Sequence, residues 1–286
     1  MKERFTILDF EKRYPSEDAC LDEVFDRRYG HFSYCPECGK EFKFYRVRGR
    51  KCYSCQYCSH QIHPLAGTIF HKSDTDLRKW FYAIFLFCAS KNGVSGKELE
   101  RQLGVTYKTA WRMAKKIREL FAQDDDNLSG IVEVDETYVG GKRRGKRGRG
   151  ADGKSPVVGI VERGGCIKAY VTEDTKRVTL TKLIVDNVDE ESTLMTDEYP
   201  SYKRISLHGF KHEKVNHGSK EYVRGSAHTN TVEGFWSQLK RSINGTYHSV
   251  SPKYLQQYVN EFAFRYNFRH LPSPLFEVVL QRVVMP

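Results

Sequence analysis

The sequence predicts an α/β protein, with a helical, cysteine-bearing first half and a sheet-based second half. Three observations carry that expectation. Two Cys-x-x-Cys pairs stand close together between residues 35 and 58. Two helix-period segments follow, joined at a glycine, and the second of them is basic. After residue 128 the apolar pattern changes from helical to strand-like, and two short branched runs end in Asp135 and Asp197.

At 286 residues the length prior is about two domains. An apolar content of 39% with 13% aromatic residues describes a folded chain rather than a disordered one. Lys plus Arg outnumber Asp plus Glu by 47 to 36, and that excess of +11 favours a polyanionic partner. Behind Met1-Lys2-Glu3-Arg4 there is no apolar stretch of the signal-peptide kind. The longest apolar run, Trp80 to Ala89, is ten residues and too short to span a bilayer. The expectation is a cytoplasmic protein, nucleoid-associated or, in a eukaryote, nuclear, with no membrane partner. In a reducing compartment eight cysteines argue for metal binding rather than disulfides.

Residues 1–30 read as a helical lead-in, with Ser16 capping a run of Ala19, Cys20, Val24 and Phe25 that Gly30 ends. Residues 31–66 read as a zinc ribbon. Cys35 and Cys38 form one knuckle, Cys55 and Cys58 a second, and sixteen residues separate Cys38 from Cys55. That spacing suits a four-thiolate structural Zn²⁺ site. Cys52 and Cys55 are also a Cys-x-x-Cys pair, so Cys52 competes for the second knuckle; Cys55 with Cys58 is preferred because Tyr53 then takes the strand position before it. Lys43, Arg46, Arg48, Arg50 and Lys51 in the hairpin can touch phosphates. His60 and His63 read as bystanders.

Residues 72–123 read as a helix-turn-helix domain. Asp74 or Asp76 caps a first helix, Ser95 starts a short second one, and Gly104-Val105-Thr106 makes the turn. The third helix puts Ala110, Met113, Ile117, Leu120 and Phe121 on its core side. Tyr107, Lys108, Arg112, Lys115 and Arg118 are expected away from the core, with Lys108 to Arg112 at the end that enters a major groove.

Asp124-Asp125-Asp126-Asn127 marks a boundary, and residues 128–286 read as the catalytic domain. Strands are expected over 130–139, 157–162, 167–172 and 192–197, with a helix over 180–188 and a further strand near 210–215. Three antiparallel strands, a helix and a fourth strand beside the first begin a ribonuclease-H-like domain. Loop 140–150 carries six cations, Lys142, Arg143, Arg144, Lys146, Arg147 and Arg149, among five glycines, and reads as a basic arm for nucleic acid.

Wound at 100° per residue, the segment around 230–243 sorts into two faces. Val232, Phe235, Trp236, Leu239 and Ile243 are apolar; Asn230, Glu233, Ser237 and Lys240 are opposite. Glu233 lies 36 positions after Asp197. Two strand-borne aspartates followed by a helix-borne glutamate can gather carboxylates around Mg²⁺ or Mn²⁺. Glu136 alternates to the strand face opposite Asp135. A last long helix is expected from Tyr254 to Tyr266, stopped by Pro272 and Pro274.

The chain resembles the zinc-ribbon DDE transposases of bacterial insertion sequences, a superfamily that includes the Merlin elements of eukaryotes. The resemblance rests on Cys35 to Gly39, Gly67 to His71 with Trp80-Phe81, and Val134 to Gly141 around Asp135. It continues through Thr196-Asp197 with Tyr199, His228-Thr229-Asn230, Glu233 to Ser237, Lys240-Arg241, Glu261-Phe262 and Phe264 to Asn267. It implies a ribonuclease-H-like fold, Mg²⁺ dependence, and binding of double-stranded DNA at transposon-end inverted repeats and at a target. Some members are described by Asn at the third catalytic position, so both Asn230 and Glu233 stand for it. The reaction expected is phosphoryl transfer with Asp135, Asp197 and Glu233 on two metal ions about 3.5–4 Å apart. Lys240 and Arg241 would contact DNA beside the cut, and a homodimer or larger assembly would hold two ends. Two rivals remain: a DNA-binding regulator with incidental carboxylates, and a nuclease or resolvase that cuts without joining.

Overall fold

The computed structural model describes residues 4–140, 153–214 and 229–285. The chain forms two compact units, residues 1–120 with 271–286, and residues 121–270.

In the first unit α1 (Ile7–Arg13) starts at a capping box between Thr6 and Asp9. Helix α2 (Glu17–Tyr29) starts at Ser16, whose side chain accepts from the Ala19 amide, and buries Cys20, Leu21, Val24 and Phe25. A three-stranded antiparallel sheet follows, β1 (Phe44–Arg46), β2 (Tyr53–Cys55) and β3 (Gln61–Ile62). Phe25 stacks on Tyr53 at 3.8 Å between ring centroids, so α2 supplies the apolar backing that so small a sheet lacks. Two hairpin cations pair with this helix: Arg46 with Asp18 and Asp22, and Lys51 with Glu17.

Asp76 caps α3 (Leu77–Ala89) by accepting from the amides of Arg78 and Lys79. Then come α4 (Gly96–Leu103) and α5 (Tyr107–Glu119), capped by Ser95 and Thr106. Between them Gly104 takes φ 58°, ψ 44°, a left-handed cap that a side chain disfavours. Arg118 departs from expectation. It is 4% exposed, donates to the Val94 carbonyl at 3.2 Å, and lies over the Phe87 ring. It borders the apolar stripe beside Ile117, and its guanidinium is satisfied there by a carbonyl and a π-face.

The last helix, α9 (Leu275–Val284), belongs to this first unit, which corrects the expected single domain over 128–286. Phe276 is 1% exposed and stacks on Phe5, with Phe10, Tyr14 and Phe85 around it. Glu277 pairs with Arg13 and Arg27. An amphipathic ten-residue helix advertises an apolar face but not which core will cover it.

The second unit holds a five-stranded mixed sheet in the order β6-β5-β4-β7-β8. The strands are β4 (Ile131–Val139), β5 (Ser155–Glu162), β6 (Ile167–Val171), β7 (Thr193–Thr196) and β8 (Lys211–Lys214). The first three pair antiparallel; β7 runs parallel to β4, and β8 to β7. The expected strand order is present, the fourth strand beside the first. Helix α6 (Arg177–Asn187) crosses between β6 and β7. On one sheet face Val132, Val134, Val158, Ile160 and Leu194 pack with Leu180 and Ile184 of α6. On the other, Val139, Val157, Val161, Ile167 and Ala169 pack with α7 (Asn230–Ser242) and α8 (Pro252–Asn267). Val232, Phe235, Trp236, Leu239 and Ile243 are the α7 side chains in that core, as the helical wheel requires. No helix among the described residues is long and apolar enough to cross a membrane.

Candidate zinc centre and carboxylate site

The four thiols of Cys35, Cys38, Cys55 and Cys58 lie within 4.8 Å of one another. Each knuckle closes on itself. The Gly39 amide donates to the Cys35 carbonyl at 2.9 Å and the Ser59 amide to the Cys55 carbonyl at 3.1 Å. Gly39 (φ 67°) and Ser59 (φ 63°) both take the left-handed conformation. Cys35 Sγ is 3.8 Å from Cys58 Sγ, and Cys38 Sγ is 3.9 Å from Cys55 Sγ. A tetrahedral ion with Zn–S bonds of about 2.3 Å requires sulfurs about 3.8 Å apart. The donor set therefore fits Zn²⁺ and fills all four positions, which makes the site structural. Cys52 is outside it: its thiol is buried and meets Gln61 Oε1.

The carboxylate site is built on β4. Asp135 stands in the middle of the strand rather than at its end, opposite Gly159 of β5. The Trp236 indole of α7 donates Nε1–H to Asp135 Oδ2 at 2.9 Å. A Cβ on Gly159 would lie 2.6 Å from Trp236 Cζ2, so the indole reaches Asp135 because the cross-strand residue has no side chain. Burial pushes the Asp135 carboxyl up to about 7; the Glu136 and Asp197 charges push the same way and the Trp236 bond opposes them.

Asp197 follows β7 directly. Strand β7 pairs with β4 through Ile131↔Thr193, Val132↔Leu194 and Glu133↔Met195, so the chain that leaves β7 at Asp197 does so on the strand next to β4, and the Asp197 charge is felt at Asp135. Asp197 Oδ1 accepts from the Tyr199 amide at 2.9 Å, so its carboxylate is held by its own turn. Glu136 points to the other sheet face, where the buried Tyr202 hydroxyl donates to it at 2.8 Å.

Asn230 and Glu233 are exposed on the first turn of α7, and Thr229 Oγ1 donates to Glu233 Oε1 at 3.2 Å. Among the described residues the four cysteines form the one group of three or more Cys, His, Asp or Glu ligand atoms this close together. The Asp197 charge acts on Asp135, but Glu233 does not complete a three-ligand group with them. Three like charges with nothing between them repel. The Lys240 amine sits below the usual lysine range through burial, while the nearby Asp135 charge pulls it up. Arg241 is exposed in the last turn of α7.

On α5, Lys108 and Arg112 are exposed, and Lys115 is half-buried 3.8 Å from Glu119. Lys142, Arg143, Arg144, Lys146, Arg147 and Arg149 lie outside the described residues.

Sequence reasoning missed Glu133. It is fully buried, and it accepts from the amides of Thr231 and Val232, from Thr231 Oγ1 and from Arg163 Nε. The available signal was a carboxylate two residues before Asp135 on the same face of a strand due to be covered by a helix. Trp236 was assigned to the core; that its indole N–H also needs an acceptor was legible.

Residues 127–267 match the family model described as ISXO2-like transposase domain, and residues 15–61 the one described as transposase zinc-ribbon domain. A protein in the transposable element ISH50 of Halobacterium salinarum is 29% identical over 275 residues, covering 89% of this chain and 92% of that protein. A transposase-like protein of Haemophilus influenzae is 24% identical over 109 residues, 38% of this chain and 87% of its own. The chain also aligns with the crystal structure of a pre-cleavage Mos1 transpososome at 10% identity and TM-score 0.28, over 71% of this chain and 77% of that one. With a family model on each unit and a relative matched over nearly its whole length, the chain belongs to the zinc-ribbon DDE transposases.

Proposed function

We propose that this transposase binds transposon-end DNA, cuts it, and transfers the freed 3′ ends to target DNA at the Asp135–Asp197 site of a ribonuclease-H-like domain. The observation that supports this reading is Asp135 on β4 under the charge of Asp197, which directly follows the neighbouring parallel strand β7. Two adjacent hard oxygen donors suit Mg²⁺ or Mn²⁺. Such an ion, when bound, lowers the pKa of the attacking water and stabilises the leaving 3′-oxygen. Asp135 and Asp197 hold it. Glu233 is the third ligand preferred here, because a carboxylate offsets the charge of the ion, and Asn230 one turn earlier supplies a neutral oxygen. Trp236 fixes Oδ2 of Asp135 and so sets the orientation of the carboxylate. Lys240, within electrostatic reach of Asp135, receives a phosphate of the strand being cut.

The DNA is recognised by α4, the Gly104 turn and α5 acting as a helix-turn-helix, with Lys108 and Arg112 towards the groove and Lys115 on the backbone. The 142–149 arm and Arg241 add phosphate contacts. Joining two ends requires at least a dimer. The test is incubation of the purified protein with element-end duplex, target DNA and Mg²⁺, with both cleaved and joined products expected. Binding without metal-dependent cutting favours the regulator, and cutting without joining favours a nuclease.

A further inference from the structure

We infer that Glu133 is a positioning residue: a buried anchor on β4 that holds α7 in register so that its first turn faces Asp135 and Asp197. The inference rests on the function proposed above for that site.

Glu133 Oε2 accepts from the amides of Thr231 at 2.9 Å and Val232 at 3.1 Å. Its Oε1 accepts from Thr231 Oγ1 and from Arg163 Nε, both at 2.8 Å. The first two donors are among the amides that a helix N-terminus leaves without an internal partner. A helix usually satisfies them with a capping side chain from its own chain, yet Thr229 at the cap of α7 makes no such bond. The acceptor comes from a strand about a hundred residues away in sequence. Arg163, just beyond β5, neutralises the buried charge, so the anchor draws on β4 and on the end of its antiparallel neighbour β5.

Helix α7 therefore meets β4 at two points. Glu133 holds residues 231 and 232, and Asp135 holds residue 236. Along the strand two residues advance about 6.6 Å. Along the helix four to five residues advance about 6–7.5 Å. The two spacings match, so both bonds form with the helix running alongside the strand. The apolar face of α7 seats it on the sheet, and the two bonds set its position along β4.

The two points are not equivalent. Asp135 has to serve a cation, so its bond to Trp236 is subject to change when the site is in use. Glu133 is buried behind it, where it bonds the backbone of residues 231 and 232. It keeps residues 230–233 in place while Asp135 changes partner.

The experiment uses the full-length zinc-loaded chain with Glu133→Gln, which keeps shape but sets an NH₂ against donors. Three readouts are taken: thermal unfolding, amide exchange in the peptide spanning 229–236, and Mn²⁺ binding by electron paramagnetic resonance with no DNA present. The expected result is a folded protein whose 229–236 amides exchange at least about tenfold faster. Half-saturating Mn²⁺ rises about tenfold, as for other losses of an outer support around a metal ligand, and end cleavage recovers as Mn²⁺ is raised. Wild-type exchange and wild-type Mn²⁺ binding in a folded variant overturn the inference whatever the cleavage rate. So does a lost rate that excess Mn²⁺ does not restore, because a merely structural residue behaves that way. If Glu133→Gln does not fold, Thr231→Val, which removes one donor of the four, carries the same expectations at smaller size. Asp135→Asn separates the two readings: wild-type Mn²⁺ binding in that variant sinks the proposed site, while the exchange result on 229–236 still judges the anchor.

Discussion

The zinc centre and the carboxylate site make opposite use of the chain. Four thiols come from two knuckles, each closed by its own backbone hydrogen bond, and they already stand at the sulfur spacing of a tetrahedral ion. The carboxylates come from a strand, the turn after another strand and the first turn of a helix, and among the described residues they form no three-ligand group. Ligands on one tight turn have their geometry written in their spacing. Ligands on separate elements depend on how a helix is seated on a sheet, and on whether anything offsets their mutual repulsion.

The largest expected effect is on the assembled side of this comparison. Structural zinc in small domains carries about 10–16 kcal/mol of apparent binding energy, which is folding energy. Chelation, Cys38→Ser or Cys58→Ser should therefore unfold residues 31–66, seen as lost amide protection there and retained protection across 131–139. Cys52→Ser should keep about one zinc per chain by metal analysis. Retained protection in the ribbon without zinc would remove the contrast.

Next come the aspartates. Asp135→Asn and Asp197→Asn should each lower end cleavage by more than the ~10–100-fold of outer-shell changes, with zinc content and end binding unchanged. The third position sharpens the comparison. Glu233→Gln should abolish cleavage and joining, and Asn230→Ala should slow them less. The reverse order would make Asn230 the ligand.

A smaller effect is expected beside the site. Gly159→Ala forces its Cβ against Trp236. Overpacking of this kind costs about 1–3 kcal/mol, so a lower melting temperature and slower cleavage are expected together. Trp236→Phe keeps bulk, loses the bond to Asp135, and should slow cleavage with little change in melting. The smallest is Arg112→Ala on α5. If that side chain reads a base edge, element-end binding should weaken by about 1–3 kcal/mol relative to random duplex. Equal weakening on both would limit it to phosphate contact.

Much of the fold was legible. The switch from helical to alternating apolar residues after 128 located β4, and the branched runs located β5, β6 and β7. Zinc ligation was legible down to the preference for Cys55 and Cys58, and the clustering of those two thiols with Cys35 and Cys38 is what excludes the competing Cys52. What stayed hidden depends on partners distant in sequence. Nothing local to Leu275–Val284 says that Phe276 belongs beside Phe5 and Phe10. Arg118 looked like another surface cation because the carbonyl that accepts its hydrogen bond belongs to Val94, in the loop before α4 and 24 residues away in sequence. Glu133 looked like an ordinary strand residue until α7 was laid over it.

The bond from Trp236 to Asp135 has an optical consequence. Of the chain's three tryptophans, Trp80 gives its indole proton to the neutral hydroxyl of Ser73, whereas Trp236 gives its own to a carboxylate. An indole excited state is sensitive to charge at the ring edge. Anything that changes the charge borne by Asp135, a proton or a divalent ion, alters the field at that ring and with it the emission. Occupation of the site can therefore be followed in light, on protein alone, before any DNA strand is cut.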